Sequence, residues 1–174
     1  MPRRHTDDPF PPYAHRPGRT PHPLTDPRGH SHALVAAGPT WPKPIRASEW
    51  HQSHAYLLGI DLHNHGYWWE AHEEWEGLWR QAPAESAHAR LLQAMIQSCA
   101  LWLKLDIGEN AGAQRLLARA RPHVQALAGT GTVLGVRVPT WWQAVEDHAA
   151  LRLAGHATAD PPCITLATVP KPCA

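Results

Sequence analysis

The chain has 174 residues, which is enough for one domain with a substantial core and too few for two ordinary domains. Its formal charge of +1 provides no global field to attract nucleic acid or anionic lipid, and no stretch approaches the roughly 18 uninterrupted apolar residues of a membrane span. The odd set of cysteines, Cys99, Cys163 and Cys173, predicts no disulfide framework, so we expect a cytoplasmic protein without a membrane partner.

The two ends of the chain differ in composition from the middle. Residues 1–44 hold eleven of the eighteen prolines and five histidines, with almost no aliphatic periodicity. Such a segment buries too little apolar surface to offset ordering entropy, so we predict a disordered arm over 1–44 and a flexible Pro-rich tail over 156–174. Lys and Arg exceed Asp and Glu by four over residues 1–46, whereas acidic residues lead by three over 47–154. The predicted folded domain, residues 45–155, is therefore mildly acidic.

Between these ends the apolar pattern has a helical period throughout. Helix one is predicted to begin at an N-cap on Ser48 and to end at Gly66, and helix two to cover about 67–81, before Pro83. A Ser86 cap opens helix three, which ends at Gly108 and carries its apolar residues on one face: Leu91, Leu92, Met95, Ile96, Cys99, Trp102 and Leu103.

The last two predicted helices lie beyond Gly108. Asn110 is expected to cap helix four, which Pro122 should kink or restart, and the glycines after it indicate a loop. Thr140 and Gln143 have the spacing of a capping box, so helix five is predicted from Trp141 to its end at Gly155. The fold class that follows is all-α, a single compact bundle of about five helices with disordered N- and C-terminal tails.

Helix two carries the most informative side chains. At about 100° per residue, its tryptophans Trp68, Trp75 and Trp79 share one face, and His72 and Glu76 fall on the same arc. We therefore predict that this imidazole and this carboxylate project toward the core, where each needs a partner, because an unsatisfied buried polar group costs about 1–3 kcal/mol. The other polar residues are predicted at the boundary (Glu73) or in solvent (Glu70, Glu74 and Arg80).

Three kinds of partner remain open for His72 and Glu76. The first is an internal hydrogen-bond network with nearby groups, such as Gln93, Gln97 or His63. The second is a divalent metal such as Zn, Mn or Fe, with Glu73, or His63 and His65, completing a nitrogen and oxygen ligand set. The third is a metal-free pocket for a small polar ligand, in which His72 acts as acid or base tuned by Glu76.

Known catalytic motifs give little further support. The segment from His72 to Glu76 matches only the first half of the HExxH zinc motif, because Glu76 replaces the second histidine, and the run from Leu62 to Arg80 has no Glu-x-x-His element of the kind found in di-iron bundles. The chain has no Gly-rich phosphate loop and no GxSxG elbow, and Cys99 lies on an apolar face that is typical of an inert thiol.

Tryptophans are unusually dense in the predicted domain: Trp50, Trp68, Trp69, Trp75, Trp79, Trp102, Trp141 and Trp142. Trp69 and one of Trp141 and Trp142 cannot share the face of their neighbours, which predicts half-buried packing, a ligand-stacking wall or a homodimer surface. These aromatics are not interleaved with a basic stripe, which argues against nucleic acid as a partner.

The run Leu62-His-Asn-His-Gly-Tyr-Trp-Trp-Glu-Ala-His-Glu-Glu-Trp-Glu-Gly-Leu-Trp-Arg80, followed by Leu92-Gln-Ala-Met-Ile-Gln-Ser-Cys-Ala100, closely resembles the bacterial and archaeal family called domain of unknown function 309. The likeness spans about residues 50–128 and implies a compact all-α fold, but no reaction. Its motif positions fall on Asn64, Gly66, Tyr67, Glu70, His72, Glu73, Glu76, Trp79 and Gln97. The family usually has Phe where this chain has His63.

Our functional hypothesis is a protein that binds a divalent metal or a small polar ligand, with hydrolase-like activity. The candidate catalytic residues are His72, Glu73 and Glu76; the candidate metal ligands are these three and His63; the candidate ligand-binding residues are Asn64, Tyr67, Trp69, Trp79 and Gln97. The alternative is a non-enzymatic interaction module, a homodimer, in which the same His and Glu side chains form a structural polar network.

Overall fold

The structure is a computed structural model that describes residues 2–36, 38, 41–157 and 160–168. The elements in chain order are α1 (His32–Val35), a 3₁₀ helix (Ala47–Gln52), α2 (His54–Asn64), α3 (Trp68–Trp79), α4 (Ala87–Asp106), α5 (Asn110–Gln125), β1 (Thr132–Val133), β2 (Val136–Arg137) and α6 (Val138–Leu153). Five of these helices have 11–20 residues, and the predicted all-α fold class is confirmed.

Helix α4 lies at the centre of the bundle and packs against α3 and α5, while α2 packs against α3. Its seven predicted core residues are all buried, as the spacing of its apolar residues predicts. The largest fully buried side chains of the fold include Trp75, Trp102, Tyr56 and Met95, so aromatic rings supply much of the core.

Helices α2 and α3 approach each other closely at one glycine. A Cβ atom added to Gly59 would lie 2.2 Å from Nε1 of Trp75, whose indole N–H donates to the Tyr56 carbonyl at 3.3 Å. Gly66, in the left-handed region at φ +83°, then ends the connection, and Tyr67 N–H donates back to the Leu62 carbonyl at 2.8 Å. This tight junction brings Trp75 of α3 directly against the backbone of α2.

Several predicted helix boundaries are confirmed and others are wrong. Ser86 caps α4, since its Oγ accepts from Ala89 N–H at 3.1 Å. The predicted first helix is divided at Ser53, whose extended backbone separates the 3₁₀ helix from α2. The predicted capping box at Thr140 is wrong, because α6 already begins at Val138 with a proline in its first turn.

The segments predicted as arm and tail contact the helical domain where the structure describes them. His15 is 4% exposed, and the side-chain amide of Asn64 exchanges two hydrogen bonds with the backbone of Ile164, at 2.7 and 2.9 Å. Leu166 forms a β-bridge with Val136. The predicted boundaries of arm and tail stay predictions, and Cys173 lies outside the described residues. In the described ranges, no helix combines the length and the apolar character needed to cross a membrane.

Candidate functional site

The apolar stripe with which α3 packs into the core consists of Trp68, Ala71, Trp75 and Leu78, and Glu70 and Gly77 of this helix are buried as well. The prediction that His72 and Glu76 project into the core is wrong, because their side chains are 28% and 30% exposed at the margin of this stripe. Ala71 and Leu78 shift the centre of the stripe, and at about 100° per residue His72 lies about 80° and Glu76 about 120° from it.

His72, Glu73 and Glu76 nevertheless form one compact group on α3. Each contributes one potential ligand atom, and these atoms lie within 4.8 Å of one another. Nδ1 of His72 is 3.2 Å from Oε1 of Glu73, and because an ionised carboxylate only accepts, the imidazole nitrogen is the donor. Oε1 of Glu76 accepts from Nη2 of Arg80 at 2.7 Å.

A groove of about 530 Å³ runs beside this group, lined by Trp41, Pro42, Glu73, Glu74, Glu76, Gly77 and Arg80. The Arg80 guanidinium lies 5.0 Å from the centre of the Trp41 ring, so one cation serves both the indole and Glu76. Three carboxylates face one guanidinium here, and burial raises the pKa of the Glu74 carboxyl. The local excess of negative charge favours a bound cation.

His63 does not join the group, although we predicted it as a metal ligand. It is 3% exposed, its Nδ1 donates to Oδ1 of Asn64 at 3.2 Å, and its ring centre lies 5.8 Å from that of Trp75. Burial lowers the pKa of His63 to about 4, so this imidazole is neutral inside the core. Its Nε2 is buried and has no partner among the described residues.

Glu70 corrects a second prediction, because it is buried instead of solvated, at 6% exposed. Its Oε1 accepts from the backbone N–H of His15 at 2.9 Å and lies 3.0 Å from Nε2 of His30. Both partners come from the arm, far away in sequence. The one local signal for a buried Glu70 was its position in the family motif, since helical periodicity alone places it outside the core stripe.

The predicted ligand-binding residues divide between several environments. The side-chain amide of Asn64 forms two hydrogen bonds with the backbone of Ile164. The ring of Tyr67 packs against that of Phe10, with ring centres 5.1 Å apart. Trp79 is 38% exposed and does not line the groove. Gln97 on α4 has a buried Oε1 without a partner in the described part of the chain. Of the site residues that we predicted, His72, Glu73 and Glu76 are the ones that the structure brings together with accessible polar atoms.

Trp69 is covered by the arm. The rings of His15, His22 and His30 surround its indole at centre distances of 5.6, 5.4 and 6.4 Å, each in an edge-on arrangement. We predicted Trp69 as a stacking wall for a ligand, and its described neighbours are instead side chains of the same protein. The five histidines of the arm have no regular spacing in the sequence, so this contact with Trp69 could not be predicted from it.

Residues 56–116 match the family described as domain of unknown function (DUF309). The match begins in α2, covers α3 and α4 with the His72 group, and ends in α5; the arm, the hairpin, α6 and the tail lie outside it. The resemblance seen in the sequence motifs is confirmed over this segment. A comparison with curated proteins finds no match.

Proposed function

We propose a function from the geometry of α3, because residues 56–116 match the DUF309 family and that description names no activity: binding of a divalent transition-metal cation by His72, Glu73 and Glu76. The observation that carries the proposal is the proximity of one imidazole and two carboxylates within 4.8 Å. Mixed nitrogen and oxygen ligands of this kind suit Zn, Mn or Fe.

The chemistry of the groove supports the same proposal. Glu74 adds a third carboxylate beside the group, and the only cation among the described residues that line the groove, Arg80, is already paired with Glu76. A metal replacing Arg80 at Glu76 would gain a carboxylate ligand, and coordination through Nδ1 of His72 would replace the contact to Glu73, with the ring proton carried on Nε2.

Three protein ligands would leave coordination positions for water and for a small polar ligand lying in the groove. A divalent metal lowers the pKa of bound water, which is the chemistry that hydrolysis requires. We therefore propose that this site hydrolyses a small polar substrate, with His72, Glu73 and Glu76 as the catalytic group. Arg80 and Trp41, which line the groove, are the side chains that would contact the substrate.

The second candidate function is a non-enzymatic interaction module that forms a homodimer. It is favoured by two exposed indoles, Trp41 at 48% and Trp79 at 38%, near Arg80. In this case the contacts from His72 to Glu73 and from Glu76 to Arg80 are surface pairs that satisfy one another, and each contributes little to stability.

Cysteine chemistry bears on the compartment. Cys99 is buried and free, and burial raises the pKa of its thiol, whereas Cys163 is free and exposed. Unpaired thiols of this kind fit a reducing environment. We place the protein in the cytoplasm on this basis.

The test is metal analysis and titration of full-length protein purified without a histidine tag. Wild type should retain one equivalent of metal more than the double variant His72→Ala/Glu76→Gln, and its affinity for Zn²⁺ or Mn²⁺ should exceed that of the variant by at least about tenfold. Circular dichroism checks that both proteins remain folded. Equal uptake and equal affinity would exclude the metal site.

The matched control is His156→Ala, which removes an exposed imidazole outside the group. This control matters because the chain has 14 histidines, several of them in the arm, which can bind metal nonspecifically. It should leave the difference in stoichiometry unchanged. A dimer of wild type in light scattering, together with metal uptake that does not depend on His72, would favour the interaction module.

A further inference from the structure

We propose that the surface beneath the arm is a peptide-binding surface for an extended, arginine-bearing segment of another protein, and that the arm of this chain occupies it in cis. This arm-binding face comprises Asp61, Gly66, Trp68, Glu70 and Asp106. It lies outside the proposed metal group and does not depend on it.

Two carboxylates of the face bind the backbone of the arm. Asp61 accepts from the backbone N–H of His5 at 2.8 Å and of Thr6 at 2.8 Å, and also from the Thr6 hydroxyl at 2.8 Å. Glu70 accepts from the backbone N–H of His15 at 2.9 Å. Because backbone N–H groups are common to all residues except proline, these contacts recognise an extended chain without demanding the sequence of this arm.

The side-chain specificity comes mainly from Arg16, while Arg19 adds a contact from its Nη1 to Oδ2 of Asp106 at 3.4 Å. The Arg16 guanidinium lies 4.3 Å from the centre of the Trp68 ring, donates from Nη2 to the Gly66 carbonyl at 2.9 Å, and places Nε 3.4 Å from Oδ2 of Asp106. Its side chain is 22% exposed, so the group is largely enclosed. A planar guanidinium can stack and donate in several directions at once, and a lysine ammonium cannot reproduce this arrangement.

The arm is the whole source of partners for the two buried carboxylates. Asp61 is 0% exposed and Glu70 6%, and within the described residues every side-chain hydrogen bond to their oxygens comes from arm groups. Oε2 of Glu70 is also buried without a partner there. A segment with one more donor would satisfy this carboxylate better than the arm does.

Apart from the histidine rings around Trp69, the arm is attached mainly by polar contacts, which makes exchange feasible. The buried apolar core contains no residue before Tyr56, and Phe10 is the described arm residue that packs against it, only partly buried. Segments with few buried apolar contacts open locally at a free energy well below that of global unfolding. Residues 2–36 also carry five arginines against three aspartates, which complements Asp61, Glu70 and Asp106.

The experiment uses a fluorescein-labelled peptide with the sequence of residues 4–20, titrated with the full-length protein and followed by fluorescence anisotropy. Wild type should bind it weakly, because its own arm competes. Full-length Arg16→Ala, with a weakened arm, should bind the peptide at least about tenfold more tightly, and Arg16→Lys should fall between. A peptide carrying the same Arg16→Ala change should not bind, and adding Glu70→Ala to the Arg16→Ala protein should abolish the gain.

Two results would overturn the proposal. If the peptide binds wild type and Arg16→Ala equally, the arm is a permanent part of the fold and the face is not available to a partner. If light scattering shows that tight peptide binding accompanies dissociation of a dimer, the occupant is the arm of a second copy. Metal affinity should be unchanged in Arg16→Ala. A failure of the peptide-binding proposal can therefore be told apart from a failure of the proposed metal site.

Discussion

The backbone N–H of His15 donates to Oε1 of Glu70 across 55 positions of sequence, with an N–O distance of 2.9 Å. His15 is 4% exposed and Glu70 6%, so water cannot readily replace either partner. This bond joins a Pro-rich segment to the helix that also carries the His72 group, and its removal is the most direct test of how the arm is held.

Glu70→Ala should detach the arm near His15. The substitution leaves a buried N–H without an acceptor, which costs about 1–3 kcal/mol. This cost destabilises the contact of the arm with α3 and not the packing of the helices. We expect the His15 amide to exchange with solvent markedly faster, measured by hydrogen exchange. Glu70→Gln keeps an oxygen acceptor and should have the smaller effect; the same protection in Glu70→Ala as in wild type would contradict the contact.

Gly59→Ala should destabilise the protein even though alanine is the better helix former. The gain in helix propensity is about 0.5–1 kcal/mol, whereas a Cβ 2.2 Å from Nε1 of the buried Trp75 forces α2 and α3 apart, and overpacking costs about 1–3 kcal/mol. Urea denaturation should show a lower free energy of unfolding.

Gly129→Ala is the matched control for this steric argument. A Cβ at Gly129 would meet nothing within 4 Å, and the φ of Gly129 does not lie in the left-handed region. The substitution should be neutral or stabilise by up to about 1 kcal/mol, because it restricts the unfolded chain. Equal destabilisation by both substitutions would mean that the contact with Trp75 is not the cause.

His63→Phe should reduce the acid sensitivity of the fold. Burial lowers the pKa of His63 from 6.5 to about 4, so the unfolded chain binds more protons in this window and stability falls as the pH falls through it. The free energy of unfolding has its full value above pH 6.5, and the part of it lost by pH 4 through His63 is at most about 3 kcal/mol. Denaturation at pH 7 and pH 4.5 should show a smaller difference for His63→Phe than for wild type; an unchanged difference would contradict a buried neutral imidazole.

Asn64→Ala should loosen the C-terminal segment. The side chain satisfies both backbone groups of Ile164, at 2.7 and 2.9 Å, and Ile164 is 1% exposed. Losing both partners should cost about 2–3 kcal/mol and expose residues near Ile164 to limited proteolysis. Unchanged metal affinity is expected as well, since the side-chain amide of Asn64 bonds Ile164 and Asn64 lies outside the His72 group.

Arg80→Gln should strengthen metal binding if the proposed site is correct. Arg80 competes for Oε1 of Glu76 at 2.7 Å, and removing one nearby positive charge in a solvated groove is worth about 1 kcal/mol. We expect affinity for Zn²⁺ or Mn²⁺ to rise about threefold to tenfold in calorimetric titration at low salt. A fall in affinity would place the cation elsewhere.

Much of the fold could be predicted because helical periodicity depends on neighbours three and four residues away. The seven apolar residues of α4, from Leu91 to Leu103, are buried as predicted, and the Ser86 cap is present. The cluster of His72, Glu73 and Glu76 is also a local feature, since Glu76 lies three and four positions after the other two, and side chains at these spacings are neighbours on a helix whatever the rest of the fold does.

The sequence by itself thus determined the helical class, the core face of α4 and the candidate metal ligands on α3. Tertiary structure alone decided that Glu70 is buried under His15 and His30, that Asn64 holds Ile164, and that His72 lies at the margin of the core. These outcomes depend on contacts between residues 40 to 100 positions apart, or on how closely Gly59 lets two helices approach, and no local period carries that information.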